Sequence, residues 1–243
     1  MHNMLDSYNK VSILYTFWHD CSIAKRCHSR GEMRRMKWSV VNRKTLFKGF
    51  FQLSELKITH QLFAGGESPL LRRELLEKGD AVALLPYDPV RDELVLVEQF
   101  RIGALDDLSG PWLIEIIAGY QEPHESPESV AVREAMEETG CHIAQLQFVQ
   151  RYYSTPGGSS ERIHLYFGFT DTSAVGGVHG LEEEGEDIKV RVVSSKTAFE
   201  WLDKGKIDSA IPTIALQWFR LHREEIRRKW SGDSETRSQT DEV

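Results

Sequence analysis

Four of the six glutamates in one short segment of the chain have a spacing that suits chemistry with a divalent cation. The segment Gly119–Cys141 reads GYQEPHESPESVAVREAMEETGC and contains Glu125, Glu134, Glu137 and Glu138. Crowded carboxylates repel one another, and a fold accommodates them when a cation lies among them, because hard ions such as Mg²⁺ take oxygen ligands. A run of acidic residues can also be a solvated helix face. The spacing has to decide between these two interpretations.

The residues around the glutamates predict a single helix. Ser126 is a good N-cap, Pro127 is a good first helical residue, and Gly140 suits the position just past the helix end. Within that helix Glu134 and Glu138 are four residues apart, so their side chains share one face. This arrangement would present two carboxylates together to one ion.

The same helix supplies its own counter-ion and its own packing face. Arg133 precedes Glu137 by four residues, so the guanidinium can hold that carboxylate while the others bind metal. Val130, Ala131 and Ala135 form the side that packs inward. An acid cluster with a counter-ion and a core face favours a cation site over a solvated helix.

This segment resembles the Nudix box, G-x5-E-x7-R-E-U-x-E-E-x-G-U, in which U is apolar. The seven fixed letters are filled by Gly119, Glu125, Arg133, Glu134, Glu137, Glu138 and Gly140. Ala135 and Cys141 occupy the apolar positions. A match at this many fixed positions has a low risk of arising by chance. The resemblance implies an enzyme that hydrolyses a diphosphate bond.

Length and composition fit a globular enzyme rather than a nucleic-acid-binding protein. The 243 residues are 40% hydrophobic and 28% charged, with a net charge of −7. That charge disfavours nonspecific binding to nucleic acid. Cys21, Cys27 and Cys141 give neither a disulfide framework nor a zinc pattern, which favours a cytoplasmic location. The apolar run Val11–Trp18 is too short to cross a membrane, so no membrane partner is expected.

The chain divides into four segments by composition and pattern. Residues 1–35 form an extension of doubtful structure, and a true start at Met33 or Met36 is the alternative to it. Residues 36–77 are interpreted as a small N-terminal β domain and residues 78–230 as the hydrolase domain. Residues 231–243 are polar and lack apolar periodicity, which predicts a disordered tail.

Short apolar runs predict a mixed α/β fold. Strands are predicted at Val82–Pro86, Leu94–Gln99, Trp112–Ala118, Ile163–Phe169 and Ile188–Val193. The first two are separated by a turn-rich stretch and predict a hairpin. Helices are predicted at Thr197–Lys204 and Ile214–Trp230. The core candidates of the second helix are Leu216, Phe219, Leu221 and Ile226.

A longer resemblance runs from about Trp38 to Trp230. The blocks LPYDPVRDELVLVEQFRIGA, EIIAGYQE, STPGGSSER, HGLEEEGEDI and KIDSAIPTIALQW are similar to the bacterial ADP-ribose pyrophosphatases, a Nudix subfamily. Pro156, fifteen residues past Cys141, resembles that subfamily's proline. The resemblance implies Mg²⁺-dependent hydrolysis of ADP-ribose to AMP and ribose 5-phosphate, with Mn²⁺ as an alternative ion. It also implies an α/β/α sandwich with a mixed sheet, preceded by a small β domain, in a homodimer with a shared active site.

The same resemblance implies roles for individual residues. The metal ligands would be Glu134, Glu138 and Glu137, together with the backbone carbonyl of Ala118. Glu125 would act mainly by orienting Arg133. The catalytic base would lie on the acidic loop HGLEEEGED, because a carboxylate already committed to cations is a poor proton acceptor. The flanking letters place that base at Glu184, with Glu182 and Glu183 as alternatives.

Substrate contacts are implied outside the helix. Arg101 would contact the phosphates, which suits a planar guanidinium that donates two parallel hydrogen bonds. Arg73 would reach across the dimer, and Phe50 would stack on adenine, with Phe51 as the adjacent alternative. Residues expected near the ribose, the metals or the substrate loop are Glu161, Glu115, Pro156, Gly157 and Gly158.

Two other functions remain open at this stage. The substrate could be another nucleotide sugar, such as ADP-mannose, another ADP-sugar or GDP-mannose, because the box supplies diphosphate chemistry and not the leaving group. The chain could instead be a module that senses ADP-ribose without cutting it. A complete box and the lack of a recognisable helix-turn-helix favour the enzyme.

Overall fold

The fold is given by a computed structural model that describes residues 12–13 and 36–237. The predictions made for residues 1–11, 14–35 and 238–243 lie outside the described residues. The strands are β1 (Ser12–Ile13), β2 (Trp38–Lys48), β3 (Gln52–His60), β4 (Leu71–Glu77), β5 (Ala81–Asp88), β6 (Glu93–Phe100), β7 (Trp112–Glu115), β8 (Ile117–Tyr120), β9 (Gln145–Tyr153), β10 (Arg162–Phe169), β11 (Val178–His179) and β12 (Ile188–Ser194). The helices are α1 (Pro127–Thr139), α2 (Ser195–Asp203) and α3 (Ala210–Arg237).

Two compact units are formed by the described residues. The main unit comprises residues 12–13, 81–152 and 163–237, and the small unit comprises residues 36–80 and 153–162. The main unit contains a nine-stranded mixed sheet in the order β1-β9-β10-β5-β6-β12-β11, with β7 paired to β6 and β8 paired to β5. Strand β10 runs parallel to β5, whereas β12 runs antiparallel to β6. The predicted mixed sheet with helices is confirmed.

The main sheet is covered on both faces, because its central strands alternate between two cores. Leu94 and Leu96 of β6 pack with α3, through residues such as Phe219. Val95 and Val97 of the same strand pack in a second core with α1. The resulting helix–sheet–helix layering is the sandwich that the resemblance implied.

The α1 helix begins and ends where the sequence predicts. Ser126 Oγ accepts a hydrogen bond from the backbone N–H of Ser129, and Pro127 is the first helical residue. Gly140 takes a left-handed conformation with φ 68°, which glycine adopts without strain, and its N–H caps the helix. Both ends of the glutamate helix are therefore fixed, and so is the rotation of its acidic face.

The turn between β5 and β6 is fixed by a buried carboxylate. Asp88 accepts hydrogen bonds from the backbone N–H groups of Val90, Arg91 and Thr172, at 2.8, 3.1 and 3.0 Å. Burial alone would raise the pKa of Asp88, but these donors and the Arg91 guanidinium hold it to about 2. The hairpin that leads to Arg101 is thereby held in one conformation.

The small unit is an antiparallel sheet in the order β2-β3-β4, to which residues 153–162 are joined. Leu76 of β4 forms a bridge to Ser159, and the backbone N–H of Lys78 donates to Ser160 Oγ at 3.0 Å. Every residue of β2 is exposed. The segment that contains Pro156 and Gly157 therefore belongs to this unit, although it follows β9 in sequence.

The structure corrects two expectations about the C-terminal helix. Leu221 is 82% exposed and is not a core residue, whereas Leu216, Phe219 and Ile226 are buried as predicted. Residues 231–237, predicted to be disordered, continue α3 as far as Arg237. Extending a helix fixes only one residue for each hydrogen bond gained, so a polar sequence can continue a helix that packing has already nucleated.

None of the helices in residues 36–237 is long and apolar enough to span a membrane.

Candidate active site

Arg133 binds three of the four box glutamates. Its Nε and Nη2 donate to Glu125 at 3.0 and 3.2 Å, and its Nη1 donates to Glu134 at 2.8 Å and to Glu137 at 2.9 Å. The paired hydrogen bonds from Arg133 lower the pKa of Glu125. The same bonds, led by the one to Glu125, raise the pKa of Arg133 further above its ordinary value. One guanidinium therefore fixes the loop before α1 and two side chains on the helix.

Glu138 is the most buried carboxylate of the cluster. It is 2% exposed, and its Oε2 accepts a hydrogen bond from the backbone N–H of Ala118 at 3.3 Å. Burial raises the pKa of Glu138 well above its ordinary value, and the charge of Glu134 raises it further. Burial is also the main reason why the pKa of Glu134 rises to about 6, even though Arg133 opposes the shift. Two adjacent carboxylates thus lack enough positive charge around them.

Gly119 lets Glu134 lie directly against strand β8. A Cβ atom placed on Gly119 would lie 1.7 Å from Glu134 Oε1 and 2.0 Å from its Cδ. No side chain larger than hydrogen fits there while Glu134 keeps this position. The box glycine therefore has a steric role, which is to make room for the Glu134 carboxylate against β8.

The donor set fits a hard divalent cation. Carboxylates held in a buried, charge-deficient place bind such an ion because it replaces the missing positive charge. Over residues 36–237, no three carboxylate, imidazole or thiol groups converge closely enough to enclose an ion by themselves. Arg133 accounts for part of this, because Glu134 and Glu137 both turn toward its Nη1. The residues present fit the ion in chemistry, and the remaining ligands would have to come from backbone, water or substrate.

The sequence interpretation missed Glu186, which lies beside the cluster. Its charge raises the pKa of both Glu134 and Glu138. Its Oε2 accepts a hydrogen bond from the backbone N–H of Leu181 at 3.1 Å, which fixes the side chain within its loop. The sequence feature that could have identified Glu186 is the two-residue period of β12. Glu186 lies two residues before Ile188, which is buried on the α1 side of the sheet, so the same side is expected for Glu186.

The loop that was predicted to hold the base forms a short 3₁₀ turn at Glu182–Glu184. Glu182 and Glu183 are exposed. The side chain of Glu184 lies outside the described residues, so its role stays a prediction. The loop is anchored next to the glutamate helix, because the backbone N–H of Gly180 donates to the carbonyl of Glu137 at 3.4 Å.

Arg101 and Glu115 form an ion pair on the main sheet. Arg101 Nε donates to Glu115 Oε2 at 2.6 Å, and Glu115 Oε1 accepts from Ser209 Oγ at 3.2 Å. The positive charge of Arg101 also acts on Glu138, where it opposes the rise in pKa that burial causes. The main unit therefore brings together the glutamate helix, Glu186, and the Arg101–Glu115 pair.

The remaining predicted site residues belong to the small unit. Glu161 forms an ion pair with Lys78 and accepts a hydrogen bond from Ser154 Oγ at 2.7 Å. Arg73 is an exposed residue of β4, and Pro156 and Gly157 lie in an exposed turn. Arg73, Pro156 and Gly157 are therefore exposed within this unit, whereas the carboxylate of Glu161 is engaged.

The two candidate stacking residues touch each other. The rings of Phe50 and Phe51 meet edge to face with centroids 4.8 Å apart, and Phe50 is 85% exposed. Lys78 Nζ lies 5.2 Å from the centroid of the Phe51 ring. Phe50 is therefore the more exposed of the two rings, since Phe51 is 37% exposed and is held by a cation–π contact.

The chain is similar to a family model and to curated pyrophosphatases. The NUDIX domain model matches residues 77–222 of this chain. An ADP-ribose pyrophosphatase of Escherichia coli (strain K12) is 46% identical over 192 residues, which are 79% of this chain and 92% of the relative. A GDP-mannose pyrophosphatase of Cronobacter sakazakii is 31% identical over 185 residues, which are 75% of this chain and 94% of the relative.

A solved structure described as an ADP compounds hydrolase has a similar fold. It superposes with a TM-score of 0.60 and covers 79% of this chain and 97% of its own. The two sequences are 19% identical, so the likeness concerns the fold.

Proposed function

Because the chain belongs to the NUDIX family, we propose that it is an ADP-ribose pyrophosphatase: it hydrolyses the diphosphate bond of ADP-ribose to AMP and ribose 5-phosphate with Mg²⁺. The observation that carries the proposal is the acid cluster on α1, held by Arg133 and placed against the backbone by Gly119. The 46% identity to the E. coli pyrophosphatase supports the choice of substrate.

The charge of the cluster explains the need for a cation. A diphosphate bridge is flanked by anionic oxygens that repel both a nucleophile and the glutamates around it. Bound Mg²⁺ would supply positive charge to the diphosphate and would lower the pKa of a water molecule, with Mn²⁺ as an alternative ion. Glu134, Glu138 and Glu186 are the carboxylates we assign to the ion, together with Glu137 and the Ala118 carbonyl.

Arg133 holds these ligands in place rather than touching the substrate. Its contacts to Glu125, Glu134 and Glu137 restrict three flexible side chains at once, which reduces the reorganisation needed when substrate binds. Arg133 is therefore proposed as a positioning residue. Glu125 shares this role, because both of its carboxylate oxygens accept from the guanidinium.

The proton of the attacking water needs an acceptor outside the ion's ligands. We assign that role to Glu184, on the loop fastened to Glu137 and followed by Glu186. The water oxygen forms a bond to one phosphorus as the bond from that phosphorus to the bridging oxygen breaks, and Glu184 takes the proton. Two phosphate monoesters leave the site.

Substrate contacts are proposed for both units. Arg101 would bind the phosphates with its two Nη groups, because Nε is engaged by Glu115. In the small unit Arg73, Phe50, Glu161, Pro156 and Gly157 would contact the nucleotide and the ribose. We further propose a cytoplasmic homodimer in which this unit completes a partner's site; the exposed β2 strand supports the dimer.

A substrate panel tests the proposal directly. The purified chain is incubated with Mg²⁺ and ADP-ribose, ADP-mannose or GDP-mannose in ¹⁸O-labelled water, and the products are identified by mass spectrometry. We expect AMP and ribose 5-phosphate, with the label in one of them, which identifies the attacked phosphorus. Faster hydrolysis of GDP-mannose, the substrate named for the 31% identical relative, would overturn the assignment. Binding of ADP-ribose without any hydrolysis would indicate a sensing module.

A further inference from the structure

One buried amide in the main unit has no hydrogen-bond partner. Gln99 is 7% exposed, and its Nε2 has no partner among the residues that the structure describes. Buried polar groups are almost always paired, because an unpaired donor has lost its bonds to water without replacing them. Rotating the amide by half a turn, which exchanges Nε2 and Oε1, would place Oε1 in the same position, again without a hydrogen-bond partner. The group therefore points to an acceptor or donor that the described chain does not supply.

Gln99 lies on the sheet face that α1 covers, next to the proposed phosphate contact. Side chains alternate along β6, so Gln99 shares a face with Val95 and Val97, which pack in the same core as α1. Arg101 follows two residues later with an extended backbone (φ −126°, ψ 112°), which keeps it on this side. Glu115 of β7 accepts a hydrogen bond from Arg101 and is paired with Val97 of the neighbouring strand β6.

The scarcity of hydrogen-bond donors on this side of the sheet favours a ligand oxygen as the partner of Gln99. Carboxylates can only accept hydrogen bonds, and this side of the sheet carries several of them, including Glu115 and the buried Glu138. An incoming phosphate therefore depends on the few donors present. In the described chain the side chain of Arg101 makes one hydrogen bond, from Nε, so its Nη groups remain as donors. Gln99 Nε2 is a neighbouring donor without a bond.

We propose that Gln99 is a substrate-binding residue whose side-chain amide donates to a non-bridging oxygen of the diphosphate, beside Arg101. This inference rests on the proposed function and names one more contact for it. The side chain turns about its three flexible bonds as the ligand enters, and the unpaired amide of the free enzyme becomes a paired amide of the complex. Because the oxygen is present in substrate and transition state alike, Gln99 acts mainly on affinity.

The test compares Gln99→Met, which keeps the length and apolar packing but removes the donor, with Gln217→Met on the exposed side of α3 as control. The probe is α,β-methylene ADP-ribose with MgCl₂, which keeps the non-bridging oxygens and resists hydrolysis. Three quantities are measured: melting temperature without probe, dissociation constant of the probe by calorimetry, and kcat and KM for ADP-ribose.

For Gln99→Met we expect a higher melting temperature without probe, because the unpaired donor is gone. We also expect the dissociation constant of the probe to rise about tenfold, because one hydrogen bond to a charged acceptor is lost. KM should rise similarly with little change in kcat, and Gln217→Met should match wild type. A measurement on the wild-type protein is independent of how any variant folds: the ¹⁵N side-chain amide signals of Gln99 should shift on adding probe.

An unchanged dissociation constant, or unshifted Gln99 amide signals, overturns the inference, since an ordered water would then be the partner in both states. The proposed function is judged separately by the wild-type protein. If wild type binds the probe but leaves ADP-ribose intact, the enzymatic assignment fails while the Gln99 contact is still measured by binding. If wild type hydrolyses ADP-ribose and Gln99→Met binds the probe equally well, only the inference fails.

Discussion

The steric role of Gly119 gives a prediction whose size follows from the structure. In Gly119→Ala the new Cβ would lie 1.7 Å from Glu134 Oε1, whereas ordinary contact begins at 3.4 Å. The carboxylate must therefore withdraw by about 1.7 Å, taken from these two distances. A misplacement of about 1 Å at a reacting centre costs on the order of 10²-fold in rate. We expect turnover of ADP-ribose to fall at least about 10²-fold, equivalent to about 2.7 kcal/mol in the barrier.

The fold should survive this substitution, because the clashing atoms are the far end of a flexible side chain. Alanine also restricts the unfolded chain, which offsets part of any strain by about 0.4–1 kcal/mol. The matched control is Gly79→Ala, where an added Cβ meets nothing within 4 Å. Turnover and melting temperature are measured for both variants. A Gly119→Ala enzyme of near wild-type turnover would show that Glu134 need not lie against β8, and the steric argument would be refuted.

The remaining predictions concern single carboxylates. Glu138→Gln should lower turnover about 10²–10³-fold with an unchanged circular dichroism spectrum; a nearly normal rate would remove Glu138 from the metal ligands. Glu184→Gln should lower kcat with little effect on KM; if Glu183→Gln does so instead, the loop register is wrong by one residue. The pKa of Glu134 is about 6 against its usual 4.5, so the free energy of unfolding of the metal-free protein should fall by about 2 kcal/mol as pH rises from about 4.5 to about 6, and Mg²⁺ should abolish that loss; a flat metal-free profile would contradict the charge deficit. Asp88→Asn should lower the free energy of unfolding, measured in urea at pH 7, by about 2 kcal/mol, because the Asp88 pKa of about 2 lies below its usual 3.8. The stability that ionised Asp88 adds is lost only as pH falls below about 4. Equal stability of the variant and wild type would refute the role of Asp88 in the turn.

The glutamate helix could be predicted almost completely from the sequence, because its information is local. Ser126, Pro127 and Gly140 are end signals that act within one turn, and the structure uses all three. The i,i+4 spacing likewise fixed the common face of Glu134 and Glu138. The contact of Gly119 with Glu134 could not be predicted from spacing, because it depends on how closely β8 approaches α1.

Residues whose positions depend on distant strands were harder to predict. Glu186 went unrecognised because its loop contains five acidic residues, and only the register of β12 distinguishes the one that turns toward α1. Leu221 was placed in the core because α3 is amphipathic, but the exact rotation of a long helix depends on its partners, and the structure leaves Leu221 exposed. Gln99 carries no local signal at all, since a glutamine near a strand end is ordinary.

The path of the chain through the small unit limits how the protein can be shortened. Residues 153–162 return to that unit after β9, and they are fastened there by the Leu76–Ser159 bridge and by the bonds between Lys78 and Ser160. A fragment that begins at residue 81 would therefore not be a trimmed hydrolase. The ten residues 153–162, which include Glu161, would remain in the middle of such a fragment. Their pairing partner in β4 would be deleted.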